Sequence, residues 1–266
     1  MRSLRYIALP LCIMFAVAGC ASQSRSGGGS SASSSALHTM SRNEASAKAH
    51  TDLAGLYYER GQYGVALDET AKALRANPDY AAAYMVRALV HMDLREYKEA
   101  DDDFKRSLSL QADNPDTHNN YGWFLCQRGR EREAMPHFMA ALKNPLYSTP
   151  AMAYLNASAC AKRTGQMQDA EEFLRKALVL QPDLPGALIG LAEIDFNKGD
   201  FSSAKSNFTR YAQSNGAVFT SQNLWLGVRI ERKLGDRNAE ESYALQLRKR
   251  FPDASETQLL RSGKYE

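Results

Sequence analysis

The chain has little of several things that would point to a specific chemistry. Four cysteines in 266 residues exclude a small fold stapled by a disulfide framework. Charge of one sign is also missing. Thirty-three basic residues face 30 acidic ones, a formal net charge of +3, whereas a protein that tracks phosphate backbones carries a strong basic excess. Nucleic acid is therefore not an expected partner. The five histidines, His38, His50, His91, His118 and His137, form no metal-ligand spacing with cysteine or carboxylate, and no HExxH occurs, so no metal is expected. The glycine run Gly27-Gly28-Gly29 precedes no predicted strand and makes no phosphate cradle, and a GxSxG elbow is missing too. Without the alternating strand and helix periods of an α/β enzyme, the chain is expected not to be an enzyme. No catalytic residue, cofactor or small-molecule substrate is expected. No apolar run reaches the ~18 residues of a spanning helix, yet 44% hydrophobic content is ample for a core.

What is present begins with an address. Residues 1–19 read as a secretory signal peptide: Arg2 and Arg5 give a positive start, an apolar stretch runs from Tyr6 to Val17, and small residues follow. Val17-Ala18-Gly19-Cys20 resembles the lipobox of bacterial lipoproteins. That resemblance implies cleavage before Cys20 and acylation of both its thiol and the new amino terminus. Several acyl chains hold a protein at a bilayer stably, where one alone binds marginally. Ala21 stands where an aspartate favours inner-membrane retention in many enterobacterial lipoproteins. The implied destination is the outer membrane, facing the periplasm. Residues 20–46, rich in Ser, Gly and Ala, read as a flexible tether with a reach of roughly 30 Å.

The rest is a repeat. Aligning on Ala66, Ala100, Ala134, Ala170, Ala204 and Ala239 gives successive gaps of 34, 34, 36, 34 and 35 residues. Twelve residues before each stands another small residue: Ala54, Ala88, Gly122, Ser158, Ala192 and Gly227. This pattern resembles the tetratricopeptide repeat, whose two antiparallel helices cross at small residues because a large one would push the axes apart. The predicted fold is all-α, a right-handed superhelix of about six tetratricopeptide helix-turn-helix repeats over 47–254. They start near 47, 81, 115, 151, 185 and 220, with a C-terminal tail over 255–266. Glycines 61, 129, 165, 199 and 235 mark the turns between helices.

Several positions depart from the pattern. Arg87 and His91 replace apolar residues in the second unit, and Arg95-Glu96 replaces its turn glycine. Pro136 falls inside a second helix and is expected to bend it. Two extra residues separate the third and fourth units around 145–150. The cluster Asp101-Asp102-Asp103 reads as a solvated face.

Cys126 and Cys160 lie 34 residues apart on the first helices of adjacent units. Neighbouring first helices run side by side, so the two thiols are candidates for a disulfide, the alternative being two separately buried thiols. First helices also line the inner curve of a helical-repeat array. Met85, Leu89, Met92 and Trp123 form an apolar strip there, and Asn119, Asn120 and Asn156 offer amides to an extended peptide. These seven residues form the candidate partner-binding groove. Lys48 lacks the matching basic partners of the carboxylate clamp seen in some chaperone-binding repeat proteins.

Two further stretches carry a narrower resemblance. Asn119-Asn120-Tyr121-Gly122-Trp123-Phe124-Leu125-Cys126, with Cys160 following, and Leu224-Trp225-Leu226-Gly227-Val228-Arg229-Ile230, continuing to Arg248-Lys249-Arg250-Phe251-Pro252, resemble the type IV pilus biogenesis lipoproteins called PilW or PilF. The resemblance spans essentially the whole mature chain. It implies a pilotin, an outer-membrane lipoprotein that binds the secretin subunit PilQ, or another pilus-assembly protein, and promotes its localisation and multimerisation. Pilus fibre assembly and twitching motility depend on that pore. The alternative is a periplasmic repeat lipoprotein that regulates cell-wall enzymes or an outer-membrane assembly machine.

Overall fold

In a computed structural model, residues 31–265 are described. The expected signal peptide, Cys20 and the first part of the tether lie outside the described residues. The repeat array, from Asn43 onward, forms one unit, distinct from the residues up to Arg42.

Among the described residues there are thirteen helices and no strand. Twelve of them form six hairpins: α1 (Ser31–Glu59) with α2 (Tyr63–Ala76), α3 (Ala81–Asp93) with α4 (Tyr97–Leu110), α5 (Pro115–Gln127) with α6 (Glu131–Lys143), α7 (Pro150–Arg163) with α8 (Met167–Leu180), α9 (Pro185–Asn197) with α10 (Phe201–Gln213), and α11 (Ser221–Leu234) with α12 (Arg237–Arg250). Each second helix packs on the next first helix, and α3 touches α5, α5 touches α7, and α9 touches α11. This is the stacking of a tetratricopeptide superhelix.

The helix ends follow from local chemistry. Pro115, Pro150 and Pro185 open α5, α7 and α9, where a missing N–H costs nothing. Asn114, Asp200, Thr220 and Asp236 cap their helices by accepting from a backbone N–H three residues on. Gly61, Gly129, Gly165, Gly199 and Gly235 all turn with positive φ. The second unit has no glycine there, and Arg95 is forced to φ 64°.

The small-residue columns sit at the helix crossings. Ala54, Ala66, Ala88, Ala100, Ala134, Ala170, Ala192 and Ala204 are all 0% exposed, and Ser158 is buried. Gly122 and Gly227 are buried as well, and only Ala239, in the last hairpin, is half-exposed. A Cβ on Gly227 would stand 2.7 Å from Cζ of Phe208, and one on Gly122 3.0 Å from Cε1 of Phe138. The first is shorter than real carbon contacts allow and the second is tight enough that the ring would have to shift, so the absence of a side chain is what lets these helices come this close.

Several expectations need correcting. The backbone is helical from Ser31, so α1 begins well before 47 and the second part of the expected tether is helix, although the array itself takes in only the residues from Asn43 onward. No glycine or proline interrupts the chain between Ser31 and Gly55, and extending a nucleated helix is inexpensive. The expected tail over 255–266 contains a thirteenth helix, α13 (Ser255–Arg261), packed on α11 and α12. It buries Leu260 and Thr257 over the end of the core, covering an apolar face that an open solenoid would leave to water. The aspartate cluster is not simply a solvated face. Asp103 is buried and binds Arg87 in bidentate fashion, Nε to Oδ2 at 2.6 Å and Nη2 to Oδ1 at 2.7 Å, which accounts for a charged residue on that helix. α6 runs through Pro136 without a break.

Candidate functional site

The centre of the array is joined covalently. Cys126 on α5 and Cys160 on α7 form a disulfide, with Cα atoms 5.8 Å apart. Both sulfurs lie in a core cluster with Phe104, Phe124, Leu125 and Phe138. The link holds two neighbouring first helices together at the floor of the inner curve.

The seven groove residues expected on that curve do different things. Met85, Leu89 and Met92 are half-buried against this same core cluster. The asparagines bind one another across three helices: Asn156 Nδ2 donates to Asn119 Oδ1 at 3.1 Å, and Asn120 Nδ2 donates to Met85 Sδ at 3.4 Å. Their amides tie α3, α5 and α7 together, and Asn119 is buried. Trp123 is half-buried against the same cluster and also borders a cavity.

From Trp123 a trough runs toward the C-terminal repeats. Its first part, about 460 Å³, lies between Trp123, Leu155, Ser158, Lys162, Gly186 and Gly190. Lys162, Gly186 and Gly190 are shared with the next part, about 490 Å³, which continues past Ile189, Glu193, Trp225 and Leu226 to Arg229. Arg229 in turn borders a larger cavity of about 760 Å³ with Arg232, Lys233, Lys264 and Tyr265. The trough thus crosses α5, α7, α9 and α11, one repeat after another.

Two glycines lie at its floor. Gly186 and Gly190 lie one turn apart on α9, and a Cβ on either would collide with Leu155 Cδ2 at 2.9 Å or Leu174 Cδ1 at 3.0 Å. The tips of Leu155 and Leu174 therefore pack directly on the α9 backbone, and helix backbone and leucine methyls together make the floor. A glycine inside a helix costs roughly 1 kcal/mol against alanine, so two of them four apart in Pro185-Gly186-Ala187-Leu188-Ile189-Gly190 were the available sequence signal for this site. Lys162 and Glu193 form an ion pair across the trough. The half-buried Arg229 guanidinium lies 4.3 Å from the ring centroid of Phe196, and its Nε donates to the Tyr265 carbonyl at 3.1 Å. Burial pulls Arg229 below the ordinary arginine range, against a smaller opposing pull from Glu193.

A trough of this shape, open and lined by both apolar and polar side chains, with helix backbone at its floor, suits an extended polypeptide. Among the described residues no group of three or more His, Cys, Asp or Glu side chains is placed to hold a metal ion, and no helix is long and apolar enough to cross a membrane.

The tetratricopeptide repeat family matches residues 51–117 and 151–184. Among curated proteins the chain is similar to the type IV pilus assembly protein PilF of Pseudomonas aeruginosa, with 27% identity over 78% of this chain and 82% of the relative. A solved structure described as a functional characterisation of Pseudomonas aeruginosa PilF superposes with a TM-score of 0.79 and 26% identity, over 84% of this chain and 99% of that one. The crystal structure of PilW, described as a widely conserved type IV pilus biogenesis factor, shares 35% identity over 80% of this chain and 97% of its own, with a TM-score of 0.71. The chain belongs to the PilW/PilF family of type IV pilus biogenesis factors. Its tetratricopeptide fold is one used for protein–protein interaction.

Proposed function

We propose that the chain is a pilotin, a non-enzymatic lipoprotein anchored through Cys20 to the outer membrane and facing the periplasm. In this role it holds a segment of the type IV pilus secretin subunit, PilQ, in the trough and promotes its localisation and multimerisation. The observation that carries the reading is the trough from Trp123 to Arg229. It is continuous over four first helices and walled by Leu155, Ile189, Trp225 and Leu226. Membership in the pilus biogenesis family says which process such a surface serves. The lipobox-like Val17-Ala18-Gly19-Cys20 supplies the membrane address. A cargo bound by a tethered protein is concentrated beside the bilayer, which speeds ring assembly without any bond being made or broken.

Deleting the gene in a piliated host should remove secretin multimers from blots of unheated membranes and abolish piliation. Normal rings and normal pili would end the pilotin reading. Cys20→Ala should give a folded protein that leaves the outer-membrane fraction, and retention there would contradict the anchor.

A further inference from the structure

The C-terminal end of the trough has a chemistry the rest lacks. Arg229, Arg232, Lys233 and Lys264 converge on one cavity with Tyr265, and the face beside it is lined by Phe196, Phe201 and Lys198. Two of these cations are engaged: Arg232 binds Glu240 at 2.9 Å and Lys198 binds Glu171. Among the described residues, Arg229, Lys233 and Lys264 face no carboxylate at ion-pair distance. Arg229 is the most constrained of the three. Its guanidinium is stacked on Phe196 and its Nε is held by the Tyr265 carbonyl, which leaves its terminal nitrogens for a planar anion.

We propose that this end of the trough is a carboxylate-binding site, in which Arg229, flanked by Lys233 and Lys264, takes the anionic group of an extended partner segment lying in the trough. The proposal rests on the reading of the trough as a peptide groove and adds direction and charge to it. First helices about 9 Å apart make the path from α5 to α11 roughly 27 Å, or about eight residues of extended chain at ~3.3 Å each. Side chains in such a chain alternate, so every second residue faces the floor at Gly186 and Gly190. A half-buried guanidinium at the end of a peptide-sized channel selects a planar carboxylate on a peptide. A membrane surface would meet an exposed basic patch instead.

The test is fluorescence polarisation with three labelled octapeptides of alternating Leu and Ser: one ending in a free carboxylate, one in a carboxamide, and one in Glu carboxamide. Either acid form should bind at least tenfold tighter than the neutral amide, and raised salt should weaken the difference. The tighter of the two acid forms identifies the source as a chain end or a side chain. Arg229→Gln should abolish the preference. Lys233→Gln with Lys264→Gln, both exposed and unable to disturb the core, should reduce it several-fold, with an unchanged melting curve. Equal binding of acid and amide peptides, or no binding of any, would overturn the site. Two other outcomes would also overturn it: tighter binding to phosphatidylglycerol vesicles than to the acid peptides, or acid binding that appears only once Glu266 is deleted. Capture of purified PilQ, run in parallel, separates the two claims. An acid preference without PilQ capture leaves this site standing and removes the pilotin reading. PilQ capture by wild type and Arg229→Gln alike, with no acid preference, does the reverse.

Discussion

Gly227 and Gly64 are both glycines inside helices, and they should respond oppositely to the same substitution. A Cβ on Gly64 meets nothing within 4 Å, whereas one on Gly227 meets Phe208 at 2.7 Å and Tyr243 at 3.2 Å. The Phe208 ring is fixed by edge contacts to Tyr243 and Phe219 and has little room to retreat. Gly64→Ala should therefore stabilise the protein by about 0.5–1 kcal/mol through helix propensity. Gly227→Ala should lose more to overpacking than it gains, a net loss of about 1 kcal/mol. Urea denaturation of the two variants checks the pair, and a stabilised Gly227→Ala would contradict the close crossing. Arg95 is the converse case, an L-residue in the left-handed conformation that its five counterparts reach with glycine. Arg95→Gly should raise stability by about 0.5–1 kcal/mol in the same assay. The left-handed strain it removes is about 1–2 kcal/mol, partly offset by the greater freedom of glycine in the unfolded chain.

Between elements, the third hairpin leans on one carboxylate. Asp101 on α4 accepts from Tyr121 Oη on α5 and Arg130 Nη1 before α6, both at 2.9 Å, and pairs with Lys105. Burial pushes its carboxyl upward, but the bonds from Lys105, Tyr121 and Arg130 outweigh that and hold it below the ordinary 3.8. A carboxyl lowered in the folded state adds stability that is complete above its unfolded value and is lost as pH falls through its folded value. Asp101→Asn should thus lower the melting temperature at pH 7 and narrow its gap to wild type as pH drops below about 4. A gap that stays constant from pH 6 to 2 would refute the assignment. The same element contacts explain Arg87 and His91. A helix pattern predicts apolar residues there, and Asp103, sixteen residues on, is what makes Arg87 tolerable. That pairing belongs to the fold of the hairpin and cannot be seen from α3 alone.

At the scale of the molecule, stability passes from one repeat to the next, because each hairpin touches only its neighbours. A covalent link in the middle of such an array ties together units that are otherwise joined by packing and a few polar contacts. Closing a 34-residue separation is worth roughly 3–4 kcal/mol on a chain-entropy basis. Replacing Cys126 and Cys160 together by Ala should cost about 2–4 kcal/mol and broaden the unfolding transition as the two halves lose cooperativity. Free-thiol labelling of the denatured, unreduced wild type should find neither of these two sulfurs, and labelling of both would remove the premise. The trough straddles this link, with Trp123 on the α5 side and Leu155 on the α7 side. Loosening it should therefore weaken partner capture as well as folding.

The period of 34, the small-residue columns and the turn glycines determined the hairpins, their number and their crossings, because each is a local rule: a helix of this length needs a stop, and two helices this close need small residues between them. The pairing of Cys126 with Cys160 was readable for the same reason, since equivalent helices of adjacent repeats must lie side by side. The position of the trough was decided only in three dimensions. Met85 and Asn119 share a face with Trp123 by periodicity, yet what faces them across the repeat interface decides whether they fill a gap or line one. In the second and third hairpins Met85, Leu89 and Met92 pack on the core cluster, and the asparagine amides bind across the helices. In the fifth hairpin Gly186 and Gly190 let Leu155 and Leu174 settle onto the α9 backbone, and the trough passes over it; α13 then folds back to bring Tyr265 and Lys264 beside Arg229, a contact between segments 36 residues apart that no local pattern encodes.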